Sequence, residues 1–190
     1  PGSNFEGNVS VTAATDGDWR TEAMLSAPIA EGAGIRVTGF YHDYPGNIRN
    51  LTTGKKLNDQ ANYGFRAKFK AELSPSTTFS LVGAYAKAVQ DGTGTSIRQI
   101  TGAGTPRILG QAALPLLPSL TGITAGEGNF NARVDSLGAT RNETASVAGK
   151  LNVDLGFADL ISVTAYQDWK FNFQNDFDGT DVNVLGAITA

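Results

Sequence analysis

The chain has 190 residues, 15 basic and 18 acidic, with a formal net charge of −3 and no basic stripe of the kind that binds nucleic acid. There is no cysteine, which excludes a disulfide scaffold and thiolate metal sites. The 23 glycines exceed the usual share of roughly 7%, which favours turn-rich β structure over packed helices.

No segment predicts a helical membrane span. The most apolar stretch, 108–125, is interrupted by Pro115 and Pro118, whereas a spanning helix needs about 20 predominantly apolar residues. The first residues, Pro1-Gly2, lack the basic and apolar regions of a signal peptide. For an exported protein, we therefore expect that the beginning lies outside this chain.

Apolar and polar residues alternate with a period of two in seven runs. The fourth run is the clearest, with Phe65 and Phe69 on one face and Lys68 on the other. The predicted strands cover about 5–15, 19–29, 34–43, 62–73, 77–89, 140–155 and 159–172. Their lengths match the roughly 9–11 residues of a tilted transmembrane strand better than the about 5–6 usual in soluble proteins.

The connections between these runs differ in length. Short turns follow the even-numbered strands, whereas 42–62 and 90–139 are long loops, an asymmetry typical of outer-membrane barrels. Aromatic residues near the long-loop ends predict an interfacial girdle: Trp19, Tyr41, Tyr63, Tyr85, Trp169 and Phe171.

These patterns predict an all-β fold: an antiparallel meander of about seven long strands, forming an open fragment of a transmembrane β-barrel over 1–190. Because bacterial barrels close with even strand numbers, seven strands indicate a piece whose first and seventh strands are edges. We expect an apolar outer face made by Phe65, Phe69, Phe79, Leu81, Val147, Leu151, Val153, Ile161, Val163 and Trp169. Arg66, Lys68 and Lys150 should lie on the opposite face. The alternative fold is a soluble β-sandwich, which explains the alternation equally well.

Residues 27–50 resemble the early barrel of TonB-dependent receptors. The resemblance is carried by the order of Pro28-Ile29, Gly32, Arg36, Phe40-Tyr41, Gly46 and Asn50. Pro1-Gly2 is similar to the end of that family's plug domain, so the chain resembles the N-terminal part of the barrel. Ile29 and Pro45 depart from the family pattern, and the resemblance is clearest over 1–89.

The resemblance implies a 22-stranded barrel around a plug, in the outer membrane of a Gram-negative bacterium. It implies import of a scarce ligand, such as an iron-siderophore, cobalamin or glycan, driven through TonB. The implied partners are outer-membrane lipid, the protein's own plug and remaining barrel strands, TonB through regions outside this chain, and a small or medium ligand. These residues include neither plug nor TonB box. A passive porin or adhesin barrel is the alternative function, and the complete reading frame would decide between them.

Two sets of residues are candidates for ligand contact. The first comprises charged residues predicted to face the lumen, which would either bind ligand or pair with the plug: Arg20, Glu22, Arg36, Arg66 and Lys68. The second comprises apolar residues of the longer loop: Ile108, Leu109, Leu116 and Leu117.

One acidic run suggests a Ca²⁺ site. Asp176, Asp178 and Asp181 surround a glycine turn, although the bidentate Glu of an EF-hand is absent and a solvated loop is the alternative. We expect no other cofactor. His42 is the one histidine and has no evident nucleophile partner, so we do not expect an enzyme.

Overall fold

The computed structural model describes residues 4–92, 94, 96–99, 121–135, 137–175, 181 and 188–189. A 3-10 turn, Thr15–Gly17, interrupts an otherwise all-β arrangement in these ranges. The strands are β1 Glu6–Ala13, β2 Trp19–Ala30, β3 Ala33–Tyr44, β4 Ile48–Asn50, β5 Lys56–Leu57, β6 Gln60–Ser74, β7 Thr77–Asp91, β8 Asn131–Ala132, β9 Ala139–Asp154, β10 Asp159–Asn175 and β11 Ile188–Thr189. The described residues include no helix of sufficient length and hydropathy to cross a membrane.

The chain divides into two compact units. The sheet unit comprises Pro1–Asp43, Ala61–Ala88 and Asn142–Phe171, and the loop unit comprises Tyr44–Gln60, Val89–Arg141 and Asn172–Ala190.

The seven long strands form one antiparallel sheet, in the order β1-β2-β3-β6-β7-β9-β10, which confirms the predicted fold class. Strands β1 and β10 are not neighbours, so the sheet is open. The sequence predicted that the seventh long strand, β10, is an edge of the sheet. The structure differs at the end of this strand. Its last residues, Gln174 and Asn175, pair with the two-residue strand β11.

The register assigns even-numbered residues of β1, β2, β3, β6, β7 and β9 to one face of the sheet. In the first three strands Glu6 lies opposite Ser26 and Arg20 opposite His42, and directly opposed residues share a face. The same parity continues at later pairs: Glu72 N donates to Gly32 O at 2.8 Å, and Asp154 N donates to Ser76 O at 2.8 Å. We call this face, which carries Arg66, Lys68 and Lys150, the polar face. The opposite, apolar face carries Phe65 and Val147, as predicted.

The predicted orientation of β10 is wrong. Leu155 N donates to Ala158 O at 2.9 Å, which closes the β9–β10 hairpin with two residues between the paired positions. Counted from that pair, Val163 lies opposite Lys150, and both line the same depression. The indole nitrogen of Trp169 donates to Asn142 Oδ1 at 2.6 Å, in agreement with this register. Odd-numbered residues of β10, among them Ile161, Val163 and Trp169, therefore belong to the polar face.

The sheet unit has almost no core of its own. Ala71 is its one buried hydrophobic residue in the described ranges, whereas Val9, Phe65 and Val163 remain 73%, 55% and 64% exposed. A β-sandwich would bury one face of its sheet. In the described ranges of this sheet, both faces remain exposed.

Four of the six predicted girdle residues share the apolar face. They come from adjacent strands: Trp19 on β2, Tyr41 on β3, Tyr63 on β6 and Tyr85 on β7. The rings of Tyr63 and Tyr85 lie 6.3 Å apart. The remaining two, Trp169 and Phe171, lie on the polar face because of the β10 register.

The loop unit contains a small sheet that the sequence did not predict. Its order is β5-β4-β8, with β4 and β8 parallel although they are about 80 residues apart in the chain. Its core consists of Ile48, Leu57, Ala132 and Val134. The fully buried Asn50 donates to Val134 O at 2.9 Å and accepts from Thr52 N at 3.0 Å.

Candidate ligand-binding face

One depression on the sheet unit, with a volume of about 550 Å³, lies around Phe40. Its lining residues are Asn8, Glu22, Ala23, Met24, Thr38, Gly39, Phe40, Phe65, Arg66, Ala84, Tyr85 and Ala86. The sequence produces this shape by placing small residues beside an aromatic one. Gly64 leaves room for the Phe40 ring, and alanines 84 and 86 form a low floor. We call this the Phe40 depression.

Two predicted site residues, Glu22 and Arg66, are the charged groups of the Phe40 depression. The Arg66 carbonyl accepts a bond of 3.4 Å from Thr38 Oγ1, which ties β6 to β3 beside the guanidinium. No ion pair joins either charge to another described residue. The depression therefore offers one cationic and one anionic group beside an aromatic ring, a combination suited to a polar ligand with an apolar part.

A second depression, of about 410 Å³, collects positive charge. It brings together the predicted residue Lys68 with Lys70, Lys150 and the hydroxyls of Thr78 and Ser80. The nearest carboxylate is that of Glu72, 4.0 Å from Lys70 Nζ. Three ammonium groups with one carboxylate attract anions to this part of the polar face.

The remaining predicted cations, Arg20 and Arg36, are engaged in ion pairs. Arg20 Nη2 lies 3.1 Å from Asp18 Oδ2, and Arg36 Nη2 lies 3.3 Å from Glu6 Oε2. These pairs are partly exposed, so each contributes little stability. Both sit outside the two depressions.

His42 belongs to a polar cluster where β1 connects to β2. Its Nε2 donates to Asp18 Oδ1 at 2.8 Å, and its Nδ1 accepts from the Asn62 amide at 3.3 Å. Partial desolvation raises the pKa of Asp18, but the hydrogen bonds and charges of Arg20 and His42 outweigh it and leave that pKa below its ordinary value of 3.8. The ring nitrogens are occupied by groups that hold the connection in place.

Sequence analysis missed an aromatic cluster on the polar face. The Trp169 and Phe171 rings stack with centroids 5.9 Å apart and planes at 27°, and the Trp169 indole is anchored on Asn142. Both rings are exposed, Trp169 by 60% and Phe171 by 48%. The number of residues in the β9–β10 turn is the feature that could have revealed this cluster. That number decides which face of the sheet the odd-numbered residues of β10 lie on.

The proposed metal and loop sites fall largely outside the described residues. Asp176 and Asp178 lie there, as do Ile108, Leu109, Leu116 and Leu117. Asp181 is described, and its Oδ2 lies 2.9 Å from Arg133 Nη1 in an ion pair. In the described ranges no group of three histidine, aspartate or glutamate side chains is arranged to hold a metal ion.

No family model matches the sequence, and no curated protein matches it significantly. By structure, the fold of this chain is similar to that of part of a chain in the solved structure of the FpvAI–pyocin S2 complex. The two folds match at a TM-score of 0.66, and the two sequences are 16% identical. The match covers 92% of this chain and 21% of that chain.

Proposed function

We propose that the chain is the N-terminal part of the barrel wall of a TonB-dependent receptor, in the outer membrane of a Gram-negative bacterium. In this proposal the receptor binds and imports a scarce ligand and is not an enzyme. One observation carries the proposal: long antiparallel strands separate an exposed apolar face from an exposed face with charged depressions, in a fold shared with such a receptor.

The distribution of exposed side chains supports a membrane location. A lipid-facing band needs large apolar residues that stay exposed, and among the described residues Val9, Leu25 and Phe65 do so at 73%, 49% and 55% exposure. An edge such as β1 leaves backbone groups unpaired, which is tolerated in a membrane only when further strands close the sheet. The proposal therefore includes additional strands beyond this chain.

The polar face supports a role in ligand passage. In a barrel this face lines the lumen, where the Phe40 depression presents Arg66 and Glu22 to a solute. The second depression, lined by Lys68, Lys70 and Lys150, would bind carboxylates, and a plug domain inside the barrel would supply them. The ligand class implied by the resemblance is an iron-siderophore, cobalamin or a glycan.

The test begins with the complete reading frame. We expect a plug domain and a TonB box upstream of Pro1. Growth on the scarce nutrient should then require both the complete protein and TonB. Arg66→Ala should impair growth more than Arg20→Ala, because Arg20 lies outside both depressions and its replacement removes only the ion pair with Asp18. Uptake that persists without TonB, from a gene lacking a plug, would identify a passive porin instead.

A further inference from the structure

The Trp169–Phe171 pair forms a flat aromatic surface on the polar face. The rings come from positions two apart on β10, so they project to the same side of the strand. Neither ring is packed into a core, because 60% of Trp169 and 48% of Phe171 is exposed. Large aromatic rings that remain exposed on the polar side of a sheet are available for contact with a solute.

The orientation of the indole is fixed by a hydrogen bond. Trp169 Nε1 donates to Asn142 Oδ1 at 2.6 Å, which satisfies the indole N–H and orients the amide. The Asn142 Nδ2 group keeps two donors at the edge of the aromatic surface. The pair is thus held in place before any ligand arrives, which lowers the entropic cost of binding.

In the part of the chain that the structure describes, the β9 positions opposite the pair are uncharged. Counted from the β9–β10 hairpin, Trp169 lies opposite Thr144 and Phe171 lies opposite Asn142 on β9. The charged neighbour Lys170 projects to the other face because strand residues alternate. Arg66, the cation of the Phe40 depression, lies three strands away on β6, or roughly 14 Å at the usual strand spacing.

We propose that Trp169, Phe171 and Asn142 form a binding subsite for a pyranose ring of a carbohydrate. The apolar C–H face of the sugar packs on the stacked rings, and its hydroxyls bond to the Asn142 amide and the Thr144 hydroxyl. An anionic aromatic ligand would need a cation beside the rings, whereas the residues opposite them on β9, Asn142 and Thr144, are uncharged. The inference rests on the proposed function in one respect, since it takes the polar face to be open to water.

Two tryptophans make the subsite measurable. The chain contains Trp19 and Trp169 and no other tryptophan. They lie on opposite faces at similar exposures of 51% and 60%. Trp19→Phe therefore leaves a reporter in the subsite, and Trp169→Phe leaves a matched reporter on the apolar face.

The experiment is a fluorescence titration of the full chain in lauryldimethylamine oxide, a detergent without a sugar head group. The probes are maltohexaose and chitohexaose, with sorbitol as an acyclic polyol control and 2,3-dihydroxybenzoate as the anionic aromatic. At least one oligosaccharide should shift the emission of Trp19→Phe saturably and protect it from acrylamide quenching. The same sugar should leave the emission of Trp169→Phe unchanged. Asn142→Ala in the Trp19→Phe background should weaken binding by about tenfold, the loss expected from one hydrogen bond.

Circular dichroism of each variant establishes that the β structure is retained. The inference is overturned if neither oligosaccharide gives a saturable response, if both reporters respond equally, or if 2,3-dihydroxybenzoate alone binds. TonB dependence of uptake is measured separately in cells. Sugar binding without TonB-dependent uptake would refute the proposed function but support the subsite. TonB-dependent uptake without sugar binding would support the proposed function but refute the subsite.

Discussion

The ring of Phe40 on β3 lies directly over Gly64 on β6. A Cβ atom at Gly64 would stand 2.8 Å from Phe40 Cε1 and 2.6 Å from the backbone oxygen of Tyr85. The ring is flexible enough to move, but the Tyr85 carbonyl belongs to the neighbouring strand and is fixed by the sheet. Gly64 therefore sets both the strand packing and the shape of the Phe40 depression.

Replacement of Gly64 by alanine should destabilise the sheet. We expect a loss of about 1–3 kcal/mol, as for overpacking elsewhere in proteins, because the backbone contact leaves no room for Cβ. Gly83→Ala on β7 is the matched control, since no atom lies within 4 Å of its added Cβ. Urea unfolding in detergent measures both. Equal stability of the two variants would show that Gly64 does not hold β6 against β7.

Asn50 should be essential to the loop unit. Asn50→Ala removes its amide bonds with Val134 and Thr52 and leaves buried backbone groups unpaired, at a cost of about 2–4 kcal/mol. Hydrogen exchange at the Leu51 amide, which donates to Ala132 O, should accelerate by at least roughly 30-fold. Asn47→Ala, which loses an exposed bond to Asn58, should change exchange much less. Similar exchange in both variants would contradict this role.

The sheet could be predicted from sequence because each of its strands carries its own signal. Tyr63 to Leu73 on β6 alternate so regularly that face and strand type follow from local pattern alone. The alternation also predicted that Glu22 and Arg66 share a face. Their meeting in one depression depends on the Gly64–Phe40 packing, which no local pattern encodes.

Two features lay beyond such reasoning. The face of β10 depends on the parity of the Leu155–Ala158 turn, and a change of one residue there exchanges the two sides. The period-two alternation of β10 indicates that Ile161 and Val163 share a face of the sheet, but it does not indicate which of the two faces that is. The β4–β8 pairing joins strands of three and two residues, too short to show any period, across a long separation in the chain.

The connection between β1 and β2 should weaken in acid. The lowered pKa of Asp18 means that the folded state binds its proton less readily than the unfolded chain does. Its stabilising effect is therefore complete above the ordinary value of 3.8 and is lost as the pH falls through the lower folded value. Asp18→Asn should be less stable than the natural chain at pH 7 and equally stable at the acid end. A difference that stays constant to the lowest pH would exclude Asp18 as the titrating group.

The isolated chain should not form a stable monomer in plain buffer. Its apolar face leaves Val9, Val11 and Phe65 more than half exposed, and β1 presents an unpaired edge. We expect aggregates without detergent and a β-rich, dispersed species in its presence, as judged by size-exclusion chromatography and circular dichroism. A monodisperse chain that melts cooperatively in buffer would favour a soluble domain.

Spin-label accessibility along the strands tests most directly whether the two faces meet lipid and water. Single cysteines for labelling are introduced at 65, 66, 67 and 68 on β6 and at 162, 163, 164 and 165 on β10, in a background from which any cysteine outside these 190 residues has been replaced. In the complete protein reconstituted in liposomes, oxygen should reach labels at 65, 67, 162 and 164. A water-soluble nickel chelate should reach those at 66, 68, 163 and 165. Absence of this period-two alternation on β6, or preferential access of the nickel chelate to 65 and 67, would contradict a membrane-facing sheet.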